Sequence, residues 1–213
     1  MIHGALVSLD PNAALSVVYR DYDRDFQNNM SNAFAENSRN VNEQGLMVGL
    51  KLSKGKKYVL NAYMDQFKFP WMKYQVDQPS TTGFDYLAQF QYRPSKKLSM
   101  YWRIRRRDRP INTEEDLDDI DFVVSRFQTN YRYNISYKIS ESFTLRNRVE
   151  FVNFQRGQAP KESGYLIYQD VLYKPLSSPL SFSFRYALFE TDSYDSRVYA
   201  YENDVLYYFY IPA

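Results

Sequence analysis

The sequence predicts an all-β protein of about ten long antiparallel strands that run up and down and form a barrel or part of one. Three observations lead to this prediction. Tyr (21 residues) and Phe (15) dominate the apolar residues while Gly (7) is sparse, which favours strands over helices. Apolar and polar residues alternate with a period of two over long segments. Short turns and longer charged loops connect these segments in alternation.

The clearest segment runs from Val123 to Ile139, where the alternation holds over roughly seventeen residues, longer than an ordinary soluble strand. One set of alternate positions is mainly apolar and includes Phe127 and Tyr131. The other set is polar and includes Arg126 and Arg132. A helix would distribute these charges around its circumference, whereas a strand places them all on one face. The segment therefore predicts one long strand with an apolar face and a charged face.

The same alternation defines the other predicted strands. The clear examples are Leu46–Leu52, Phe84–Tyr92, Leu98–Arg105 and Leu180–Leu188. Weaker versions are Ala14–Asp21, Tyr58–Phe67, Phe143–Phe154, Tyr165–Tyr173 and Tyr199–Ile211. The register of Tyr165–Tyr173 is ambiguous because apolar groups occur at both sets of alternate positions.

The connections alternate in length along the whole chain. Short polar turns are predicted at Asp10–Ala13, Ser53–Lys56, Arg93–Lys96, Ser140–Ser142 and Pro175–Pro179. Longer, more charged loops are predicted at Asp23–Gln44, Phe69–Gly83, Asp108–Asp121, Gln155–Gly164 and Thr191–Arg197. Turns at one end and loops at the other are typical of an up-and-down transmembrane barrel. A Greek-key sandwich would not keep this alternation, and propeller blades need four short strands per repeat.

Alternation alone does not separate a membrane barrel, with its apolar face in lipid, from a small soluble barrel with the reverse polarity. Two features favour the membrane. The polar faces carry many arginines and few of the Glu–Lys mixtures of a solvated surface, and aromatic residues cluster near strand ends, as in membrane-interface girdles. We therefore expect the polar faces to form a charge network in the lumen. Its candidate residues are Arg103, Arg105, Arg126, Arg132, Arg146, Arg148 and Glu150.

Several stretches resemble a known family. They are Tyr19–Phe26, Asn32–Arg39, Phe67–Tyr74 and Tyr194–Asp204. Together they resemble the C-terminal barrel of helix-hairpin-helix-containing outer-membrane proteins of Bacteroidota, over most of the chain. The resemblance implies an outer-membrane location and a larger parent protein. The family's helix-hairpin-helix repeats do not occur in this sequence, and the chain lacks the terminal aromatic strand end typical of barrels, so we expect one segment, residues 1–213, of a longer barrel.

Little in the sequence indicates catalysis. Cysteine is absent, so thiolate sites are excluded. The single histidine, His3, lies at the N-terminus, where we expect a solvated side chain and no Ser-His-Asp hydrolase. The acidic run at 114–121 lacks the spacing and glycine of an EF-hand, and we expect it to be a solvated loop that pairs with the neighbouring arginine run at 103–109. We expect no catalytic, cofactor or metal site. Phe69, Pro70 and Trp71 are predicted to anchor a loop over or into the barrel mouth.

The sequence thus predicts a non-enzymatic outer-membrane barrel segment with a structural or transport role and a narrow or plugged lumen. Two alternatives stay open. One is the barrel part of a DNA-binding or DNA-uptake protein whose helix-hairpin-helix domain lies elsewhere, and the other is a soluble ligand-binding barrel. The expected partners are outer-membrane lipid or lipopolysaccharide and other outer-membrane or periplasmic proteins. A net charge of only +2 gives no reason to expect direct nucleic-acid binding.

Overall fold

The computed structural model describes residues 1–27, 34–37, 39–113 and 122–201. In this part of the chain ten strands form one antiparallel sheet, in which each strand pairs with its neighbour in sequence, and there is no helix. The predicted all-β, up-and-down fold is confirmed. The strands are β1 (Ile2–Asp10), β2 (Ala13–Tyr22), β3 (Glu43–Lys54), β4 (Tyr58–Phe69), β5 (Thr81–Tyr92), β6 (Leu98–Asn112), β7 (Val123–Lys138), β8 (Phe143–Arg156), β9 (Glu162–Tyr173) and β10 (Phe182–Thr191).

The sheet is open rather than closed. Within the described residues β1 pairs with β2 alone and β10 with β9 alone. Side chains nevertheless reach across one face: Arg109 on β6 pairs with Glu36, between β2 and β3, and Arg126 on β7 pairs with Asp195, after β10. That face is therefore concave, as in part of a barrel wall.

The prediction needs correction at both ends of the chain, although the number of strands agrees. Ile2–Asp10 forms β1, which the sequence did not indicate, because apolar residues occur at both sets of its alternate positions. Residues 199–201 of the predicted Tyr199–Ile211 strand are not in a strand, and the rest of that prediction lies outside the described residues. β10 also begins at Phe182 and continues to Thr191, beyond the predicted end at Leu188.

The two faces of the sheet differ in polarity. On one, the outer face, large apolar side chains are exposed: Phe184 is 65% exposed and Trp102 is 44% exposed. On the other, the inner face, charged side chains are buried: Asp85 and Glu150 are each 2% exposed. A water-soluble sheet packs its apolar face against the core, so the polarity of this sheet is inverted.

The register of β9, ambiguous in the sequence, follows the same division. Leu166, Tyr168 and Asp170 are buried on the inner face, whereas Ile167 and Tyr173 are exposed on the outer face. Leu166 and Tyr168 pack beneath the segment that follows β10. This packing explains why both sets of alternate positions in β9 carry apolar residues.

The most buried part of the inner face lies near the end that carries the long loops. Arg20, Gly45, Phe67 and Gly83 form one cross-strand row through β2, β3, β4 and β5. A Cβ on Gly45 would overlap the guanidinium of Arg20, and a Cβ on Gly83 would overlap the ring of Phe67. The two glycines therefore make the space that two large buried side chains occupy.

Candidate functional site on the inner face

Ion pairs between neighbouring strands line the inner face. On β7 and β8, Arg132 donates from Nε and Nη2 to the two carboxylate oxygens of Glu150, at 2.7 and 2.8 Å. On β9 and β10, Arg185 makes the same two-point contact with Asp170, at 2.6 and 2.8 Å. Both pairs are directly opposite in the strand register. Two-point contacts of this kind fix the side chains in one geometry as well as neutralising the buried charge.

The seven residues predicted for the lumen network all lie on the inner face, but they do not form a single paired cluster. Arg105 binds the carboxylate of Asp85 rather than Glu150. Arg103 donates from Nε to the amide oxygen of Gln89 at 2.8 Å. Both contacts join β6 to β5, although Arg103 lies directly opposite Arg132 in the register.

The remaining predicted residues are divided in the same way. Arg126 pairs with Asp195 at 3.3 Å, and Arg148 lies 4.0 Å from Glu150. Arg146 is exposed, and among the described residues it has no ion-pair partner. The structure therefore brings Arg132 and Arg148 together around Glu150 and places Arg103, Arg105 and Arg126 on separate partners.

The most deeply buried charge cluster was not predicted. Arg20 is fully buried and donates to Glu43 at 2.7 Å and to Asp65 at 2.8 Å. Asp85 and Asp170 were missed as well. Alternation could have indicated the three aspartates, because each occupies a polar position in a predicted strand. It could not have paired them, because the partners are 15 to 45 residues apart in the chain.

Two long loops close the mouth of the inner face. In the connection before β3, the backbone N–H groups of Glu36 and Asn37 donate to the carboxylate of Glu43, at 2.9 and 3.3 Å. The side-chain carboxylate of Glu36 also binds Arg109 on β6. The buried carboxylate of Glu43 thus holds this loop as well as Arg20.

The second loop, residues 70–80, is joined to the first by a reciprocal pair. The side-chain amide of Asn42 donates to the carbonyl of Trp71 at 2.9 Å, and the N–H of Trp71 donates back to Asn42 at the same distance. Asn42 adopts a φ of 53°, in the left-handed region that asparagine tolerates better than most residues. The mouth is therefore covered by two mutually fixed loops.

The predicted anchor at Phe69, Pro70 and Trp71 lies at this junction. Phe69 is buried, with its ring 5.4 Å from that of Phe67. Trp71 is instead exposed, with the guanidinium of Arg24 4.9 Å from its ring centre. Pro70 and Trp71 line an open cleft of about 790 Å³ beside residues 21–25.

Lys73 in the second loop is the ionisable group whose environment is most unusual outside the strands. Its Nζ lies 3.5 Å from the ring centre of Phe69 and donates to Asn37 at 2.8 Å. Burial, reinforced by the positive charge of Arg109, lowers the pKa of Lys73 to about 8. The side chain therefore holds the two loops together with an ammonium that is partly removed from water.

A third segment covers the inner face farther along the sheet. Residues 193–201, which we call the return segment, follow β10 and fold back over β7 to β9. A Cβ on Gly164 would overlap the carbonyl oxygen of Ser196, so glycine is required for this close approach. Arg185 fixes the far end by donating to the carbonyl of Tyr201 at 2.8 Å.

The return segment encloses a polar pocket of about 290 Å³ against the sheet. Its floor is formed by β6, β7 and β8 and its roof by the return segment. The lining residues are Arg107, Arg126, Gln128, Asn130, Arg132, Glu150, Tyr194, Asp195, Arg197, Val198 and Tyr199. Four arginines and only two acidic residues line the pocket, so it suits a negatively charged ligand.

The described residues contain no group of three or more histidine, cysteine or acidic side chains that could hold a metal ion. The acidic run at 114–121, with its predicted pairing to the arginine run, lies outside the described residues. Comparisons with family models, with curated proteins and with solved structures gave no match.

Proposed function

We propose that this chain is part of the wall of an outer-membrane β-barrel with a structural or transport role and no enzymatic activity. The inverted polarity of the sheet is the observation that carries the proposal. Charged residues such as Asp170 are buried on the inner face, while Phe182 and Phe184 are exposed on the outer face. In water this arrangement would expose a large apolar surface, whereas in a bilayer that surface is solvated by lipid.

The height of the apolar band supports a bilayer environment. On β6 the apolar positions of the outer face end at Ile104, and Arg106 follows. The band covers Tyr58–Met64 on β4 and Phe84–Tyr92 on β5, or about 20 to 27 Å along the strands at roughly 3.4 Å per residue. Outer-membrane barrels carry a band of about 25 Å. In this sheet two side-chain amides interrupt the apolar band. They belong to Asn147 and Gln169, which lie opposite each other in the register of β8 and β9.

An aromatic row crosses the outer face toward the end that carries the short turns. The ring centres of Phe90 and Trp102 are 5.9 Å apart, and those of Trp102 and Tyr133 are 5.2 Å apart. Tyr58 extends the row on β4, 6.2 Å from Phe90. Aromatic rings with a polar edge favour the boundary between hydrocarbon and headgroups, so this row supports an interfacial girdle near the turns.

The inner face supports a filled rather than an open lumen. The loops before β3 and before β5 cover its mouth, and the return segment covers β7 to β9. Ion pairs occupy much of the remaining surface. We propose that the barrel interior is narrow, and that the outer-face Arg106 meets lipopolysaccharide phosphate at the loop end. A soluble ligand-binding barrel would need the reverse polarity, so the observed faces favour the membrane.

No helix in the described part of the chain is long and apolar enough to cross a bilayer. The location is tested directly by exporting the full chain in a Gram-negative host and fractionating the cells. We expect the protein in the outer-membrane fraction, resistant to extraction by alkaline carbonate and released by detergent. Recovery in the aqueous phase without detergent would contradict the proposal.

A further inference from the structure

The charges of the inner face are not balanced locally. Its buried carboxylates each have an arginine partner: the five are Glu43, Asp65, Asp85, Glu150 and Asp170. On β6, two inner-face arginines, Arg103 and Arg107, have no carboxylate within ion-pair distance among the described residues. Their hydrogen bonds go to the neutral amides Gln89 and Gln128. Positive charge is therefore in excess along β6.

Arg107 brings this excess into the pocket beneath the return segment. One of its terminal nitrogens, Nη2, donates to Gln128 at 2.9 Å. Its Nε is buried and has no hydrogen-bond partner among the described residues, and the same holds for the amide oxygen of Asn130 beside it. A guanidinium that is partly withdrawn from water and lacks a counter-charge is unfavourable unless an anion binds it.

The pocket surrounds Arg107 with further donors. Arg126 and Arg132 reach it from β7, and each keeps one carboxylate partner, Asp195 and Glu150 respectively. Arg197 enters from the roof, where its guanidinium lies over the ring of Tyr194. Four guanidinium groups and two carboxylates leave the pocket with a formal excess of two positive charges.

We propose that this pocket binds a small soluble anion carrying carboxylate or phosphate groups, with Arg107 as its central contact. The planar fork of a guanidinium matches both kinds of group through two parallel hydrogen bonds. A volume of about 290 Å³ corresponds to roughly ten water molecules, which is enough for a compact di- or trivalent anion. The inference names a solute class for the proposed transport role and rests on that role.

Calorimetric titration of the detergent-solubilised full chain with citrate and with inorganic phosphate tests the proposal, at constant ionic strength set with sodium chloride. We expect saturable binding of at least one probe, weakened at least tenfold in R107Q. R146Q is the matched control, because Arg146 is an exposed inner-face arginine that does not line the pocket. It should bind as the wild type does.

R197Q provides a second variant on the return segment, outside the sheet, and should also weaken binding if R107Q does not fold. Absence of saturable binding by both probes would overturn the inference, as would equal losses in R107Q and R146Q. Binding in micelles does not depend on the location of the protein in the cell. Failure of this experiment is therefore distinct from failure of the fractionation experiment, which tests the membrane proposal.

Discussion

Arg132 and Glu150 face each other directly across β7 and β8, and two parallel hydrogen bonds of 2.7 and 2.8 Å join the guanidinium to the carboxylate. Glu150 is almost completely buried, and Arg148 lies 4.0 Å from the same carboxylate. One carboxylate therefore balances two guanidinium groups on the inner face. Removal of the Glu150 carboxylate should therefore destabilise both guanidinium groups.

We predict that E150Q lowers the free energy of unfolding by roughly 2–4 kcal/mol, because it leaves two partly buried guanidinium groups without a counter-charge. Urea unfolding in detergent micelles, followed by intrinsic fluorescence, measures the change. E141Q is the control, since Glu141 is exposed in the turn between β7 and β8. If E150Q unfolds at the same urea concentration as E141Q, the pair does not stabilise the wall.

The row through Arg20 and Gly45 gives a second prediction. We expect Gly45→Ala to destabilise the protein by about 1–3 kcal/mol, because the added methyl would overlap the guanidinium of Arg20, which is fully buried and held by Glu43 and Asp65. Gly4→Ala makes the same change on β1, where the nearest atom, on Val18, lies at an ordinary contact distance of 4.0 Å. Similar unfolding midpoints for the two variants would refute the packing argument.

The lowered pKa of Lys73 predicts that the free energy of unfolding depends on pH. Its pKa in the folded protein is about 8, below the ordinary value of 10.5, so the unfolded chain binds the proton more tightly. The free energy of unfolding contributed by Lys73 should therefore rise as the pH increases from about 8 to 10.5 and stay level below that window. Urea midpoints at several pH values measure the slope.

In K73M this slope should disappear, while K54M, a matched change at the turn end of β3, should keep it. A wild-type slope in K73M would mean that the titrating group lies elsewhere. The comparison uses the difference between variant and wild type at each pH, because other groups also titrate in this range.

The outer face supplies a fourth prediction. Leu60→Arg would place a guanidinium inside the apolar band of β4 and should reduce stability in phosphatidylcholine vesicles by about 2–4 kcal/mol. Gln66→Arg places the same side chain on the outer face of β4 at the loop-end limit of the band, where a change of at most about 1 kcal/mol is expected. Equal effects of the two substitutions would show that the band does not contact hydrocarbon.

Much of this architecture could be read from the sequence, because alternation of period two determines both the strand and its faces. Arg126 and Arg132 were assigned to one side and Phe127 and Tyr131 to the other for this reason. β1 was missed because apolar residues occur at both sets of its alternate positions, so its two faces do not contrast in polarity. The ion-pair partners were harder to predict from the sequence, because Asp85 contacts Arg105 only in the strand register that the connecting turn sets.

The number of strands has one further consequence. In a simple up-and-down order neighbouring strands alternate in direction, so β1 and β10, the first and tenth, run in opposite directions. Opposite directions are what an antiparallel seam requires. The two edges, unpaired among the described residues, could therefore join directly, or after any even number of added strands, without reversing a strand or inserting a crossover. Because the number of strands is even, this open sheet is compatible with closure into a barrel through an antiparallel seam.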